Sequence, residues 1–291
     1  MKRVYFVVIA LLVLLVVANK FCTAATQVAT NEVVATLEPK NDIWWEMPQM
    51  PKSSDIEIIT IFSDNERNYT LCYDFERLST LWVAYPLSDY HMGELKRPSR
   101  WYYNPQISTS DQINLCYHSY NDDYSRGHLI PNASRNGIRE MQEQTFYVTN
   151  SVPQIQNRFN GGIWQSLENA IQIEAQENDL YIVTGVAFTE DNEATEITYT
   201  SAKDDSRRVP VPNYFYKVAL KLHYDTSGVV TDASTIAFWF EHRTYTDSFE
   251  SYATSVDQIE EWTGLDLFHQ LPDTIEQRAE TNTSWRTFAR F

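Results

Sequence analysis

The sequence predicts one α+β domain over residues 55–272. Three observations lead to this fold class. Short runs of β-branched and aromatic residues, separated by turn residues, recur along this range and are typical of strands. Two stretches carry helix signals, one an apolar 3.6-residue period and the other an N-cap residue. Apolar residues make up 43% of the chain, with 18 Tyr, 14 Phe and 8 Trp, so the domain can bury a large core.

Residues 1–24 are interpreted as a secretory signal peptide. Lys2 and Arg3 precede the apolar run Val4–Ala18, which is shorter than the roughly 20 residues that cross a bilayer. Small residues at 22–24 offer a cleavage site. The protein is therefore expected to be secreted or periplasmic, with no stable membrane partner after cleavage. The alternative is an uncleaved N-terminal anchor.

The segments on either side of the domain are predicted to be an extension and a tail. Residues 25–54 show no clear period and contain two prolines, so we assign them to an N-terminal tether. Three large apolar side chains near its end, Trp44, Trp45 and Met47, are expected to pack onto the domain. Residues 273–291 are assigned to a C-terminal tail.

The first half of the domain is predicted to be rich in strands. The runs with strand character are Ile56–Phe62, Tyr69–Phe75, Thr80–Tyr85 and Thr145–Thr149. Residues 86–120 are predicted to be a loop, because three prolines interrupt them. This loop carries a local basic cluster of Lys96, Arg97 and Arg100.

The second half adds helices and strongly apolar strands. Apolar residues recur at helical spacing just after Gly161-Gly162, at Ile163, Trp164, Leu167, Ala170, Ile171 and Ile173. The predicted strands are Asp179–Phe188, Tyr214–Tyr224 and Thr235–Glu241. Ser255–Trp262 is predicted to be a short helix, with Ser255 as its N-cap and Gln258 completing a capping box.

The cysteines predict a disulfide if the chain is exported. Once Cys22 leaves with the signal peptide, Cys72 and Cys116 remain as an even pair in an oxidising compartment. We predict a bond between them, the alternative being two separate buried thiols. Two cysteines without CxxC spacing do not make the ligand set of a structural zinc site.

The formal net charge of −16 argues against broad electrostatic binding of a polyanion. A protein that holds nucleic acid along a wide surface is usually basic. Contacts with phosphate groups must therefore be local here, and a divalent cation would have to neutralise part of the repulsion.

Three polar side chains are of the kinds that hydrolysis of a phosphodiester requires. His128 is a candidate general base, since a neutral imidazole accepts a proton from water near neutral pH. Asn160 offers a neutral amide oxygen of the kind that Mg²⁺ accepts, and Glu168 follows about two helical turns later. Each also has an ordinary interpretation: a structural histidine, a helix N-cap and a solvated glutamate.

The arrangement of motifs resembles the DNA/RNA non-specific endonucleases of the ββα-metal class, the family that includes mitochondrial endonuclease G. The family signature is Asp-Arg-Gly-His, then Thr-Asn-x-x-Pro-Gln, then Asn-x-Gly-x-Trp and Leu-Glu. In this chain the matching residues are Arg126-Gly127-His128, Thr149-Asn150, Pro153-Gln154, Asn160, Gly162, Trp164 and Leu167-Glu168. The resemblance covers residues 55–272 and implies a central, mostly antiparallel sheet with flanking helices.

The resemblance also implies roles for individual residues. His128 would be the general base, Asn160 the direct protein ligand of one Mg²⁺ (or Mn²⁺), and Glu168 the group that orients metal-bound water. Asn150 would support the histidine side of the site. An upstream arginine would stabilise the transition state, and the sequence leaves both Arg97 and Arg100 as candidates. Arg126 belongs to the motif and is expected to support its loop.

Two positions depart from the family pattern. Ser125 replaces the leading aspartate, which removes a negative charge beside the histidine. Gln172 stands where relatives often carry arginine, which removes a positive charge near the scissile phosphate. Neither position is the predicted base or the predicted metal ligand, so an active enzyme is favoured.

These observations predict an exported, Mg²⁺-dependent endonuclease that cleaves DNA and RNA with little sequence preference. The products would carry 5′ phosphates, as the resemblance implies. One alternative is an inactive family member that binds nucleic acid or a surface. Another is an exported toxin with the same chemistry, for which an inhibitor or immunity protein is a candidate partner. No oligomeric state is predicted.

Overall fold

The predicted sheet has seven antiparallel strands. A computed structural model describes residues 43–50, 53–188 and 196–291 of the chain. The strands of this part, in chain order, are β1 (Ile56–Ser63), β2 (Glu66–Asp74), β3 (Ser79–Leu87), β4 (Tyr124–His128), β5 (Ser151–Ile155), β6 (Leu180–Ala187), β7 (Tyr199–Ala202), β8 (Asp205–Pro210), β9 (Tyr214–Tyr224), β10 (Val230–Glu241) and β11 (Ala253–Thr254). The main sheet has the order β1-β2-β3-β6-β9-β10-β11, while β4 pairs with β5 and β7 with β8.

Helices cover both faces of this sheet. They are α1 (Arg139–Gln144), α2 (Gln165–Glu174), α3 (Val256–Thr263), α4 (Asp273–Ala279) and α5 (Trp285–Arg290). The pleat of β9 sends alternate side chains to opposite faces. Phe215 and Ala219 join the core beneath α2, which we call the α2 face. Tyr216 and Val218 join the core beneath α3 and α4, the α3–α4 face.

Most of the predicted elements are confirmed. The strands predicted near β1, β2, β3, β6, β9 and β10 are present. β9 has the predicted bounds, and the ends of the others differ by up to five residues. The predicted helix after Gly161-Gly162 is α2, although Ile173 on it is 65% exposed. Ser255 caps α3 by accepting a hydrogen bond from the Gln258 N–H at 3.2 Å. The Gln258 side chain donates to Glu261 and does not complete a capping box.

The strand predicted at Thr145–Thr149 is wrong. This segment contains turn residues after α1, an isolated bridge between Tyr147 and Tyr102, and the start of the 3₁₀ helix Val148–Asn150. Continuous strand pairing begins only at Ser151. Phe146 and Val148 are buried in a third apolar cluster together with Trp101. Their aromatic and β-branched side chains therefore serve packing, and the backbone pairs only through the single bridge to Tyr102.

The predicted disulfide is also wrong, because Cys72 and Cys116 are free thiols. The pleat of β2 directs Cys72 into the core of the α3–α4 face, where its Sγ lies 3.6 Å from Sδ of Met50. Cys116 instead packs against the third apolar cluster. The two thiols thus belong to different cores, and burial raises the pKa of the Cys72 thiol to about 12.

The ends of the described chain pack onto the sheet. Trp45 is buried in the core of the α3–α4 face, and Met47 packs beside it. Residues 273–291, assigned above to a tail, form α4 and α5, and Phe288 of α5 is buried. The predicted signal peptide and most of the tether lie outside the described residues. No helix of the described part is long and apolar enough to cross a bilayer.

A half-buried histidine links the end of β10 to β5. The Nδ1–H of His242 donates to the carbonyl oxygen of Pro212 at 2.9 Å, and its Nε2 accepts the N–H of Ile155 at 2.8 Å. The bond that Nε2 accepts requires the neutral ring, and burial lowers the pKa of His242 to about 4. The position of β5, and of the chain that follows it, therefore depends on an uncharged imidazole.

We expect this link to make folding sensitive to acid. An unfolded histidine has a pKa of about 6.5. As the pH falls from about 6.5 to about 4, the unfolded chain binds a proton that the folded protein excludes. The stabilising contribution of neutral His242 is therefore full above about pH 6.5 and is lost as the pH falls to about 4. Thermal melts between pH 7 and pH 4 should show the decline. His242→Gln keeps a donor and an acceptor without titrating, so an equally steep decline in that variant would contradict the assignment.

Candidate active site

A cavity of about 410 Å³ lies where β4 and α2 meet. An irregular turn, Gln156–Trp164, leads from β5 into α2, so the pair β4–β5 and this helix form one unit. Most of the predicted site residues line the cavity, namely Arg97, Arg126, His128, Asn160 and Glu168. The other two, Arg100 and Asn150, lie outside its lining.

His128 is the last residue of β4, and one nitrogen of its imidazole accepts no hydrogen bond from the described residues. Its ring packs against Trp101 at 4.5 Å and Phe146 at 5.0 Å between ring centres. Its buried Nε2 has no hydrogen-bond partner within the described part of the chain. Burial, together with the nearby charges of Arg97 and Arg126, lowers the pKa of His128 to about 3. The ring is therefore neutral at pH 7, the state a general base requires.

Strand pairing and one amide fix the position of this ring. Gly127 is paired with Val152, and a Cβ at Gly127 would come within 2.3 Å of the Gln154 side chain, so only glycine fits here. The buried side chain of Asn150 bonds both backbone groups of Ile130, accepting from its N–H at 3.0 Å and donating to its oxygen at 2.9 Å. Asn150 therefore holds the chain just after His128 from outside the cavity, which makes it a positioning residue.

Ser125 orients the amide of Asn160. The Nδ2 of Asn160 donates to Oγ of Ser125 at 3.0 Å and to Oε1 of Gln156 at 3.2 Å. The Ser125 hydroxyl in turn donates to the carbonyl oxygen of Gln154. Because both amide hydrogens are used in this way, Oδ1 of Asn160 remains as the acceptor. Ser125 thus accepts a hydrogen bond from the Asn160 amide while carrying no charge.

A buried lysine lies beneath Glu168. Lys217 projects from β9 towards α2, donates to Oγ1 of Thr184, and has its Nζ 4.9 Å from the centre of the Trp164 ring. Burial raises the pKa of Glu168, and the charges of Lys217 and Arg97 oppose that rise. Burial likewise lowers the pKa of Lys217, against the effect of Glu168. The lysine therefore helps Glu168 to remain a carboxylate.

Lys217 was not among the predicted site residues. The signal for it is present in the sequence: a lysine at an inward-facing position of Tyr214–Tyr224, a mostly apolar strand. A buried ammonium group requires a partner, and the partner lies on the helix above.

The structure separates the two candidate arginines. Arg97 lines the cavity, is partly buried, and has its guanidinium 5.1 Å from the centre of the Phe146 ring. Arg100 is not part of the lining and stacks on Tyr102 at the surface. Arg126 lines the cavity and also donates to the carbonyl oxygen of Leu115 at 2.8 Å, in agreement with a supporting role.

Gln172 also faces the cavity, from the next turn of α2 after Glu168. Its Nε2 donates to Oγ of Ser134 at 3.2 Å. The side chain is neutral and committed to this bond. The positive charge of the cavity wall therefore comes from Arg97 and Arg126.

The donor atoms fit a hard divalent cation. Asn160 provides a free amide oxygen, and Glu168 provides a carboxylate on the same cavity wall. Oxygen donors of these two kinds suit Mg²⁺ or Mn²⁺, which keep several waters and take few direct protein ligands. No cysteine lines the cavity, so a soft metal has no ligand set there.

Known proteins share this sequence pattern. Residues 58–274 match a family model described as DNA/RNA non-specific endonuclease. The chain is 27% identical over 219 residues to nuclease EXOG, mitochondrial, of Danio rerio, which covers 70% of this chain and 60% of that protein. A nuclease of Nostoc is 24% identical over 222 residues, with 74% and 76% covered. Human endonuclease G, mitochondrial, is 26% identical over 164 residues, with 54% and 53% covered.

A solved structure shares the fold. A chain of the EndoG/EndoGI complex superposes with a TM-score of 0.62 at 19% identity, covering 82% of this chain and 96% of that one. This likeness confirms the predicted ββα-metal fold. The family model covers most of the domain, and the relatives carry nuclease names. The chain therefore belongs to the DNA/RNA non-specific endonucleases, a family of metal-dependent enzymes.

Proposed function

We propose that this chain is an exported endonuclease that hydrolyses phosphodiester bonds of DNA and RNA with little sequence preference, and that it uses Mg²⁺ or Mn²⁺. The observation that carries the proposal is the convergence of a neutral imidazole, a free amide oxygen, a carboxylate and a guanidinium on one cavity. These groups belong to His128, Asn160, Glu168 and Arg97. Hydrolysis of a phosphodiester needs a base, charge neutralisation and an ordered water, and the four groups supply them.

In this proposal His128 removes a proton from the attacking water, which adds to phosphorus in line with the leaving 3′ oxygen. The products then carry 5′ phosphates. Arg97 faces the extra negative charge of the transition state. Asn160 and Glu168 would hold the divalent cation and its surrounding water, and the bound ion would supply positive charge to the phosphate and the leaving oxygen.

The low basicity of His128 in the free protein is compatible with this role. Two guanidinium groups and burial hold its pKa at about 3. A bound phosphodiester is an anion, and its charge opposes that of Arg97 and Arg126. We therefore expect the proton affinity of the ring to rise when substrate binds.

The cavity also accounts for how an acidic protein binds a polyanion. The chain carries a formal charge of −16, yet Arg97 and Arg126 lie side by side on the cavity wall. After burial, both guanidinium groups lower the pKa of His128, in agreement with a local positive field at the site. Attraction of phosphate is thus local, as a focused positive site allows.

Removal of divalent cations is expected to abolish cleavage. Purified protein incubated with plasmid DNA or with RNA should cut both in Mg²⁺, should stop in EDTA, and should resume when excess Mg²⁺ or Mn²⁺ is added. The physical reason is that the amide of Asn160 is neutral and cannot offset the phosphate charge by itself. Cleavage that persists in EDTA, and that His128→Ala does not remove, would contradict the proposal.

Two parts of the proposal concern the protein's surroundings. Export rests on the Lys2-Arg3 segment and the apolar run that follows it, and is tested by locating the chain after cell fractionation. An inhibitor protein is a candidate partner, because the similar solved structure is described as a complex that explains EndoG inhibition. Its expected target is the rim of the cavity.

A further inference from the structure

A cluster of carboxylates lies on the face of the sheet opposite the cavity. Asp257 and Glu260 are on α3, and Glu280 follows the last residue of α4. One carboxylate oxygen from each lies within 4.8 Å of those of the other two. The helices that carry them pack on the α3–α4 face, whereas the cavity is built around α2. The cluster is therefore separate from the proposed catalytic groups.

Glu280 is the unusual member of this cluster. It is only 6% exposed, and its buried Oε1 has no hydrogen-bond partner within the described residues. Its backbone is fixed at both ends, because its oxygen accepts the N–H of Val256 and its N–H donates to the oxygen of Glu276. The carboxylate is therefore held among other carboxylates by the packing of the two helices. A buried carboxylate oxygen without a partner is costly unless a proton or a cation compensates it.

The charges around Glu280 are all of one sign. Its pKa is raised to about 9 by burial and by the fields of Glu260, Glu276, Asp257 and Asp266. The pKa of Glu260 is raised to about 7 by burial and by three of the same neighbours. Such a concentration of negative charge is relieved either by a proton or by a bound cation.

The basic side chain that lies nearest to Glu280 in the sequence already forms an ion pair with another residue. Arg278 precedes Glu280 by two residues, but its guanidinium pairs with the carboxylate of Asp232 on β10. One oxygen of Glu260 also has a partner, since it accepts the N–H of Leu267 at 2.6 Å. This bond orients Glu260 and leaves its second oxygen available.

We propose that Asp257, Glu260 and Glu280 bind a calcium ion that joins the start of α3 to the end of α4. An all-carboxylate set is a ligand set for a hard cation. Calcium suits it better than magnesium, because Ca²⁺ accepts irregular geometry and both one-oxygen and two-oxygen carboxylate ligands. Asp257 is exposed, so water can complete the coordination from the open side. The site would tie together two helices that are otherwise pushed apart by like charges.

The proposal is tested by calcium titration of the full chain in an Asn160→Ala background, which removes the proposed catalytic ligand. After treatment with EDTA, isothermal titration calorimetry with CaCl₂ should show one site, and saturating Ca²⁺ should raise the melting temperature by several degrees. Glu280→Gln should weaken calcium binding at least tenfold and remove most of that shift. Asp257→Asn, a change at an exposed position, should weaken it as well. Glu261→Gln is the matched control on the same helix and should behave like its parent.

Three results would overturn the assignment. In the first, calcium would give no heat of binding with the parent and would leave its melting temperature unchanged. In the second, Glu280→Gln and Asp257→Asn would bind calcium as tightly as the control. In the third, Glu280→Gln would be more stable than its parent at pH 7 with and without calcium, which would mean that a proton neutralises the cluster. With Asn160 restored, Glu280→Gln should cleave DNA at the parental rate in saturating Mg²⁺, so failure of this site and failure of the proposed nuclease activity are distinguishable.

Discussion

Replacing His128 with alanine should lower the rate of phosphodiester cleavage by about 10²–10⁴-fold, the usual contribution of a positioned general base. Its ring faces the cavity, is neutral at pH 7, and is held by the pairing of β4 with β5 and by Asn150. The measurement is the initial rate on plasmid DNA in saturating Mg²⁺, with a thermal melt of the same sample to show that the variant is folded.

A surface histidine provides the control for this experiment. His223 is exposed near the end of β9 and is not part of the cavity lining. His223→Ala should therefore cleave at the parental rate. If His128→Ala kept that rate too, the catalytic assignment would be wrong, and the chain would be better described as a binding protein of the family.

Replacing Lys217 with methionine should destabilise the protein by about 3–5 kcal/mol, the usual cost of removing one partner of a buried charge pair. The lysine is 1% exposed and is the largest favourable influence on the carboxylate of Glu168. Without it, the pKa of Glu168 is expected to rise further, so less carboxylate remains at pH 7 and cleavage should slow as well. Chemical denaturation gives the stability, and a rate profile between pH 6 and pH 9 gives the effect on Glu168.

A double variant separates charge from packing in this pair. Glu168→Gln combined with Lys217→Met removes both charges, so it should be more stable than Lys217→Met alone. A Lys217→Met protein as stable as its parent would show that the lysine does not compensate Glu168. A double variant no more stable than the single one would assign the loss to packing against Trp164.

The strands and the catalytic motif were predictable because they depend on local patterns. β9 was predicted with its exact observed bounds, since an apolar run of that length between turn residues has one ordinary interpretation. His128, Asn160 and Glu168 were identified because the family signature keeps their order and spacing, and the irregular turn before α2 converts that spacing into proximity.

Other features depend on contacts that the order of residues does not reveal. The buried residues after α1 resemble a strand in composition, yet they pack against Trp101 and form only a single backbone bridge, between Tyr147 and Tyr102. The disulfide prediction counted cysteines but could not know that the pleat of β2 directs Cys72 away from Cys116. The choice between Arg97 and Arg100 likewise required the position of the cavity. The two arginines are close in sequence, and only Arg97 faces the cavity.

The hydrogen bond from Asn160 to Ser125 has a consequence for selectivity between ions. A carboxylate at position 125 would be a second anionic group beside the amide oxygen and would attract any small cation. The hydroxyl carries no charge, so it aligns the amide without adding to the negative potential of the cavity. The field of Arg97 and Arg126 is then left unopposed on that side, and a cation should enter most readily together with the phosphate that balances it. Metal binding would in this way be coupled to the presence of the nucleic-acid strand that is to be cut.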